Sequence, residues 1–236
     1  MTKSIRSPDS VSGAVVRYGR CSGEPAGVPV PVIGTWFDTS GNAIDGRSND
    51  PALFETFAFG GVVDYVLAPY PYAEGGIGGV LPISQDLATA TVEAWFKPAA
   101  IGSNMRIVSI HSASSLNALS VGVRAAGDLF FQVQNSSRGD SLSAMVAGAW
   151  AHVACTVGPG VAPIVYVNGA DDTNTSSASW PPSSTYQIGI GATLYGGGPF
   201  LSQPFQGDID TVRVYDRVLS PDEVLKNYNA GRAAHQ

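Results

Sequence analysis

This sequence predicts an all-β fold, a two-sheet antiparallel jelly-roll sandwich with a short C-terminal helix, and three observations carry the prediction. Across its 236 residues, short apolar runs rich in Val, Ile, Phe and Tyr recur between clusters of Gly, Pro, Asn and Asp. Two of the breaks, Gly127-Asp128 and Asn168-Gly169, are hairpin signals that favour antiparallel neighbours. Only one segment, after Ser220, carries a helix start. Ten or so strands joined by local hairpins in a single domain close most simply as two packed sheets.

In chain order, residues 1–32 are polar and glycine-containing, with a strand expected around Ala14 to Tyr18 and an extended, polyproline-like joint at VPVPV, 28–32. They form an N-terminal arm ahead of a sandwich domain over 33–236. Strands are expected at 53–59, 62–68, 90–97, 105–111, 118–124, 128–134, 150–157, 162–168, 186–191 and 207–215. The cluster GGIGG at 75–79 lacks the Lys-Ser/Thr of a phosphate loop and reads as a flexible loop. In FQGDIDTVRVYDRVLSPDEV, 205–224, Val212 and Val214 share a parity that Ile209 lacks. One extra residue must be absorbed, so a β-bulge is expected at Asp210-Thr211. Ser220-Pro221-Asp222-Glu223 then supplies an N-cap hydroxyl, a proline at N1 and an acid at N3. The helix should lay Val224, Leu225 and Tyr228 on a sheet and end at Gly231.

Composition narrows the function. The chain is 44% hydrophobic, enough for a sizeable core, but only 14% charged with net charge −6, which argues against a nucleic-acid partner. No apolar run approaches the roughly 20 residues that span a bilayer, and the first residues lack the apolar stretch of a secretion signal, so no membrane insertion is expected. Cys21 and Cys155 have neither metal-type nor redox-type spacing; two free thiols and a disulfide both remain open.

Four segments together, TVEAWFKP at 91–98, AWAHVACTVGPGVAPIVYVNG at 149–169, YQIGIGA at 186–192 and FQGDIDTVRVYDRVLSPDEV at 205–224, resemble the laminin-G-like modules of the concanavalin A-like lectin/glucanase superfamily. WFDTSGNAID at 36–45 and FAFGGVVDYVLAP at 57–69 look like degenerate versions of that module's opening strands, so the likeness spans roughly 33–232. The resemblance implies a concanavalin A-like sandwich. It leaves function open, since such folds host lectins, glycosidases and structural modules. Relatives on this fold place Glu-x-Asp-x-x-Glu along a strand as nucleophile, helper and acid/base. Here the pattern is Asp208-x-Asp210-x-x-Arg213, which lacks one of the two carboxyls a retaining glycosidase needs. No catalytic residue is assigned. His111, His152 and His235 show no ligand spacing, and His152 reads as a structural hydrogen-bonding residue.

The resemblance also implies a structural calcium, with Asp38, Asp45, Asp64, Asp208 and Asp210 as candidates, against the alternative of solvated turn aspartates. For glycan binding, aromatic platforms beside amides on loops are the requirement. Trp180, flanked by two prolines, and Tyr195, Phe200 and Gln203 on a glycine-rich loop meet it, as do Tyr70 and Tyr72. Each stretch equally suits contact with a neighbouring subunit or packing on its own domain. Trp95 and Trp150, in apolar strand contexts, are expected in the core.

The expectation is a non-enzymatic structural or surface module of a phage particle, a tail or capsid decoration, adhesive to host-surface glycans. It would be assembled in the host cytoplasm, located in the virion, and attached to other virion proteins or copies of itself through residues 1–32. The alternatives are a free carbohydrate-binding lectin-like module and, more remotely, a glycoside hydrolase.

Overall fold

The computed structural model describes residues 14–18, 35–36, 46–47, 54–59, 62–67, 77–83, 89–112, 115–133, 136–177, 186–191, 193–195, 200–203 and 205–236. VPVPV and most of the N-terminal arm lie outside the described residues.

Two antiparallel sheets face each other. The first contains β1 (Ala14–Tyr18), β4 (Phe54–Phe59), β5 (Val62–Leu67), β7 (Ala90–Pro98), β12 (Ala151–Gly158), β13 (Val161–Val167), β14 (Ala170–Asp171) and β19 (Gly207–Tyr215). Its order is β14-β13-β12-β7-β19-β5-β4, with β1 also paired to β19. The second contains β6 (Ile77–Ile83), β8 (Met105–Ser112), β9 (Ser115–Val123), β10 (Asp128–Val133), β11 (Ser136–Ala144), β15 (Thr173–Ser176) and β16 (Tyr186–Ile190), in the order β15-β11-β10-β9-β8-β16-β6. Small two-stranded pairs form from β2 (Thr35–Trp36) with β3 (Gly46–Arg47), and from β17 (Thr193–Tyr195) with β18 (Phe200–Ser202).

Alternation along the strands builds the core. Val92, Ala94 and Phe96 of β7, Val153 and Cys155 of β12, and Ile209, Val212 and Val214 of β19 meet Val121, Leu129 and Phe131 of the opposite sheet in one buried cluster. Cys155 is a buried free thiol, pushed well up by burial.

The expected bulge is present. Ile209 pairs with Phe96 and Val212 with Ala94, so β19 spends three steps where β7 spends two, at Asp210-Thr211. The same interval separates its partners on the far side: Asp208 and Ile209 pair with β5, whereas Val212 to Tyr215 pair with β1. The strand expected at 14–18 thus joins the sandwich. Both hairpin turns also form, with Asn168 and Gly169 at φ 51° and 81°, and Gly127 at φ 97°.

Helix α1 (Pro221–Arg232) starts as predicted, with Ser220 and Glu223 in a reciprocal capping box. Its end differs. Gly231 lies within the helix, and the cap is Ala233. The glycine serves close approach: a Cβ there would stand 2.8 Å from Trp95 Cε2, so helix and indole could not meet as they do. Leu225 is 44% exposed; the covering side is Val224, Asn227 and Tyr228.

Three further corrections concern glycine, serine and tryptophan. GGIGG is not a loop throughout, because Gly78 and Gly79 pair with Gly189 and Ile188 within β6 and β16. The polar SSRGDSLSA run forms β11, held between β10 and β15 by register despite its composition. Trp95 is buried as expected, but beneath α1 on the outer face of the first sheet, and Trp150 is only half-buried.

Candidate functional site

Where β16 leaves the second sheet, an excursion of the chain is closed at its base. Gly191 N donates to Ile107 O at 2.8 Å, and Phe205 N donates to Gly191 O at 2.7 Å. Between these residues β17 and β18 form a hairpin in which Tyr195 stands opposite Phe200. What was expected as a glycine-rich loop is therefore paired at its ends, and β17 lies against β8 and β9.

Gln203 fastens it. Its φ of 54° is left-handed, uncommon for a residue other than glycine, asparagine or aspartate. In that conformation its carbonyl accepts from Arg106 N at 2.9 Å and its Oε1 accepts from Arg106 Nε at 2.7 Å. Arg106 also donates to Ser120 Oγ at 2.6 Å and lies 4.5 Å from the Phe130 ring centre. The register Asp140, Phe130, Gly122, Arg106 runs across β11, β10, β9 and β8. Gly122 leaves room for the Phe130 ring, whose Cζ would stand 2.5 Å from a Cβ there. A second guanidinium, Arg124, sits 5.5 Å from the same ring and is held by Asp128 and Asp140. Thr175 in turn donates to Asp140. The result is a rigid polar platform beside the hairpin, its charges paired in place.

The outer face of the first sheet is organised differently. Glu93, fully buried, accepts from Arg213 and, at 2.8 Å, from Asn227 of the helix, which also donates to Tyr215 at 3.1 Å. His152 Nε2 lies 3.5 Å from the same carboxylate, but neither of its buried ring nitrogens has a hydrogen-bond partner among the described residues, so the hydrogen-bonding role expected of it is not met. Burial alone would push Glu93 up, but Arg213, then His152 and Asn227, hold it down at about 2. Trp95 stacks on His235 and Tyr228, with ring centres 4.1 and 5.6 Å apart. Beyond them, Lys97 Nζ sits 2.5 Å from Asp208 and 5.0 Å from the Trp150 ring centre.

The expected site residues thus divide. Gln203, Tyr195 and Phe200 come together in one hairpin, whereas Trp180, Tyr70, Tyr72, Asp38 and Asp45 lie outside the described residues. Asp64 is on β5 and Asp210 in the bulge of β19, and Asp208 is taken by the Lys97 ammonium. Among the described residues, no three His, Cys, Asp or Glu side chains converge as a metal site. Sequence reading missed Arg106, Phe130 and Glu93. A signal existed for the last: one acid in the apolar TVEAWF and one arginine in the apolar TVRVY are complementary charges on two core strands.

These features belong to a known class. A family model described as the concanavalin A-like lectin/glucanases superfamily, a laminin G model, matches residues 77–225. The chain belongs to that laminin G family. A comparison with curated protein sequences finds no match. Among solved structures, Domain 4 of AbnA, a GH43 extracellular arabinanase from Geobacillus stearothermophilus, in complex with arabinotriose, is 19% identical with TM-score 0.63, over 92% of this chain and 98% of that one. A Trypanosoma rangeli sialidase is 13% identical with TM-score 0.64, over 95% of this chain and 33% of that one, so this chain spans about a third of the sialidase. A heptameric SAP-like pentraxin from Limulus polyphemus is 22% identical with TM-score 0.50, over 62% and 70% of the two chains. At these identities the likeness is one of fold.

Proposed function

We propose that the chain is a non-enzymatic carbohydrate-binding module that takes glycan at the β17–β18 hairpin. The observation that carries this reading is the Gln203 clamp. A left-handed backbone, rare for this residue type, fixes a hairpin bearing Tyr195 and Phe200 against a preorganised sheet face. Similarity to an arabinanase domain solved with arabinotriose, covered almost end to end, supports a saccharide as ligand. Against catalysis, Glu93, Asp128, Asp140, Asp208 and Glu223 each hold an arginine or lysine. A glycosidase acid needs the reverse, a carboxyl kept protonated near neutral pH.

A phage-particle role stays a narrower version of this reading, with attachment through residues 1–32. The attaching part would have to lie outside Ala14–Tyr18, already paired to β19.

The test is calorimetric titration with arabinotriose and a panel of soluble polysaccharides. Wild type should bind, and Tyr195→Ala/Phe200→Ala should weaken binding at least about tenfold, the loss of about 1.4 kcal/mol from an aromatic platform, with an unchanged melting temperature. Equal binding by the double variant would remove the hairpin from the site. Absence of binding to every saccharide would sink the reading.

A further inference from the structure

The outer face of the first sheet is covered by α1 only in part. Asp208 pairs with Lys97 in the strand register, Trp95 pairs with His152, and Phe96 with Ala151. One step further along, the same register brings Trp150, just before β12, beside Lys97. Asp208, Lys97 and Trp150 therefore form the last row of this face, across β19, β7 and β12. The next rows, with Trp95 and then Glu93, lie under the helix and its C-terminal turn, where His235 stacks on Trp95 and meets the Trp150 ring at 74°. That cover reaches the last row only at the Trp150 edge met by His235: the Lys97 side chain is 29% exposed and Trp150 is half-buried.

The geometry points to this row as a second saccharide subsite, on the opposite sheet from the hairpin. It supplies three groups that hydroxyl-rich rings need: an indole edge or face for the apolar C–H side of a sugar, a carboxylate to accept from hydroxyls, and an ammonium to donate to them. All three are positioned without ligand. Asp208, its side chain 10% exposed, fixes Lys97 at 2.5 Å, and Lys97 in turn stands 5.0 Å from the indole centre. Because the carboxylate and ammonium compensate one another, the row suits neutral sugars over strongly anionic ones. Around it, these described residues are small and uncharged: Ala99, Ala100, Ala147 and Ala149 are exposed, and Gly148 N bonds Pro98 O at 2.7 Å.

The inference rests on the carbohydrate-binding reading but concerns a different surface, so the two fail separately. Affinity electrophoresis through gels containing arabinan, xylan or mixed-linkage β-glucan would compare wild type, Trp150→Ala, Trp150→Tyr, Asp208→Asn and Tyr195→Ala/Phe200→Ala. Trp150→Ala should lose at least about tenfold in retardation constant and Asp208→Asn several-fold, whereas Trp150→Tyr, which keeps a ring against His235, should recover most of it. In a 15N-indole spectrum, the Trp150 signal, assigned by its absence in Trp150→Tyr, should shift on adding arabinotriose or cellotriose. Retardation of Trp150→Ala equal to wild type, with no shift of that signal, overturns the second subsite even when the hairpin variant loses binding. Should Trp150→Ala lose retardation while the hairpin variant keeps it, this subsite stands and the hairpin falls. If wild type is retarded by no polysaccharide, both are overturned.

Discussion

At the scale of the residue, Glu93 is the group whose surroundings decide most. A carboxylate with no access to water persists as an anion only because Arg213 and Asn227 replace its hydration. Its folded pKa, about 2, lies below the ordinary value of 4.5. The stability it contributes is therefore fully present above about pH 5 and lost as pH falls toward 2, on the order of 3 kcal/mol in all. Glu223, lowered to about 2 by Arg217 first and the Ser220 amide second, titrates in the same window from the surface. In urea melts from pH 7 down to pH 3, wild type should weaken steeply. Glu93→Gln should start less stable at pH 7, with Arg213 left uncompensated, and show a markedly flatter pH dependence. A pH profile parallel to wild type would mean that Glu93 does not titrate with folding. Gly231 teaches a different lesson at this scale: the sequence offers it as a helix stop, and only the neighbouring Trp95 reveals that its missing side chain is needed for contact.

Among the elements, β19 ties register to composition. Its bulge was legible because three apolar residues on a strand cannot share a face when their parities disagree, and Ile209, Val212 and Val214 do share the core. Deleting Thr211 turns β19 into a regular strand in which Ile209, Val212 and Val214 share one parity, so the core face is kept, Arg213 stays outward and only the bulge is lost. The expected outcome is a soluble, folded chain, read from the far-UV spectrum and gel filtration. Loss of folded protein on deletion would show that the bulge itself is required. The helix start was legible for the same kind of reason, since capping chemistry is local. β11 and the β17–β18 hairpin were not, because their Gly, Ser and Asp content carries no periodic apolar signal and their strands exist by virtue of neighbours. The candidate site was legible to the extent of Tyr195, Phe200 and Gln203; Arg106 and Phe130, which support Gln203, come from strands about 100 and 70 residues earlier in the sequence, a distance no local pattern bridges.

For the whole molecule, the sandwich is more continuous than the expected division into arm and domain. β1 pairs along Val212 to Tyr215, so removing residues 1–32 takes away a strand and bares one side of β19. The truncated chain is expected to melt several degrees lower and to self-associate, which light scattering and a thermal scan would register. An equally stable monomer would show that β1 adds nothing to the fold.

The position of β19 in the first sheet also sets a timetable. It lies between β7 and β5 and touches β1, yet it is the last strand in the chain. A ribosome delivers β8 to β11 consecutively, and each can pair with its predecessor as it emerges. The first sheet has a gap at its centre until residue 215 is made. Until then β5 and β7 each present an open edge with an apolar face, and the growing chain must be kept from filling that gap with a strand from another copy.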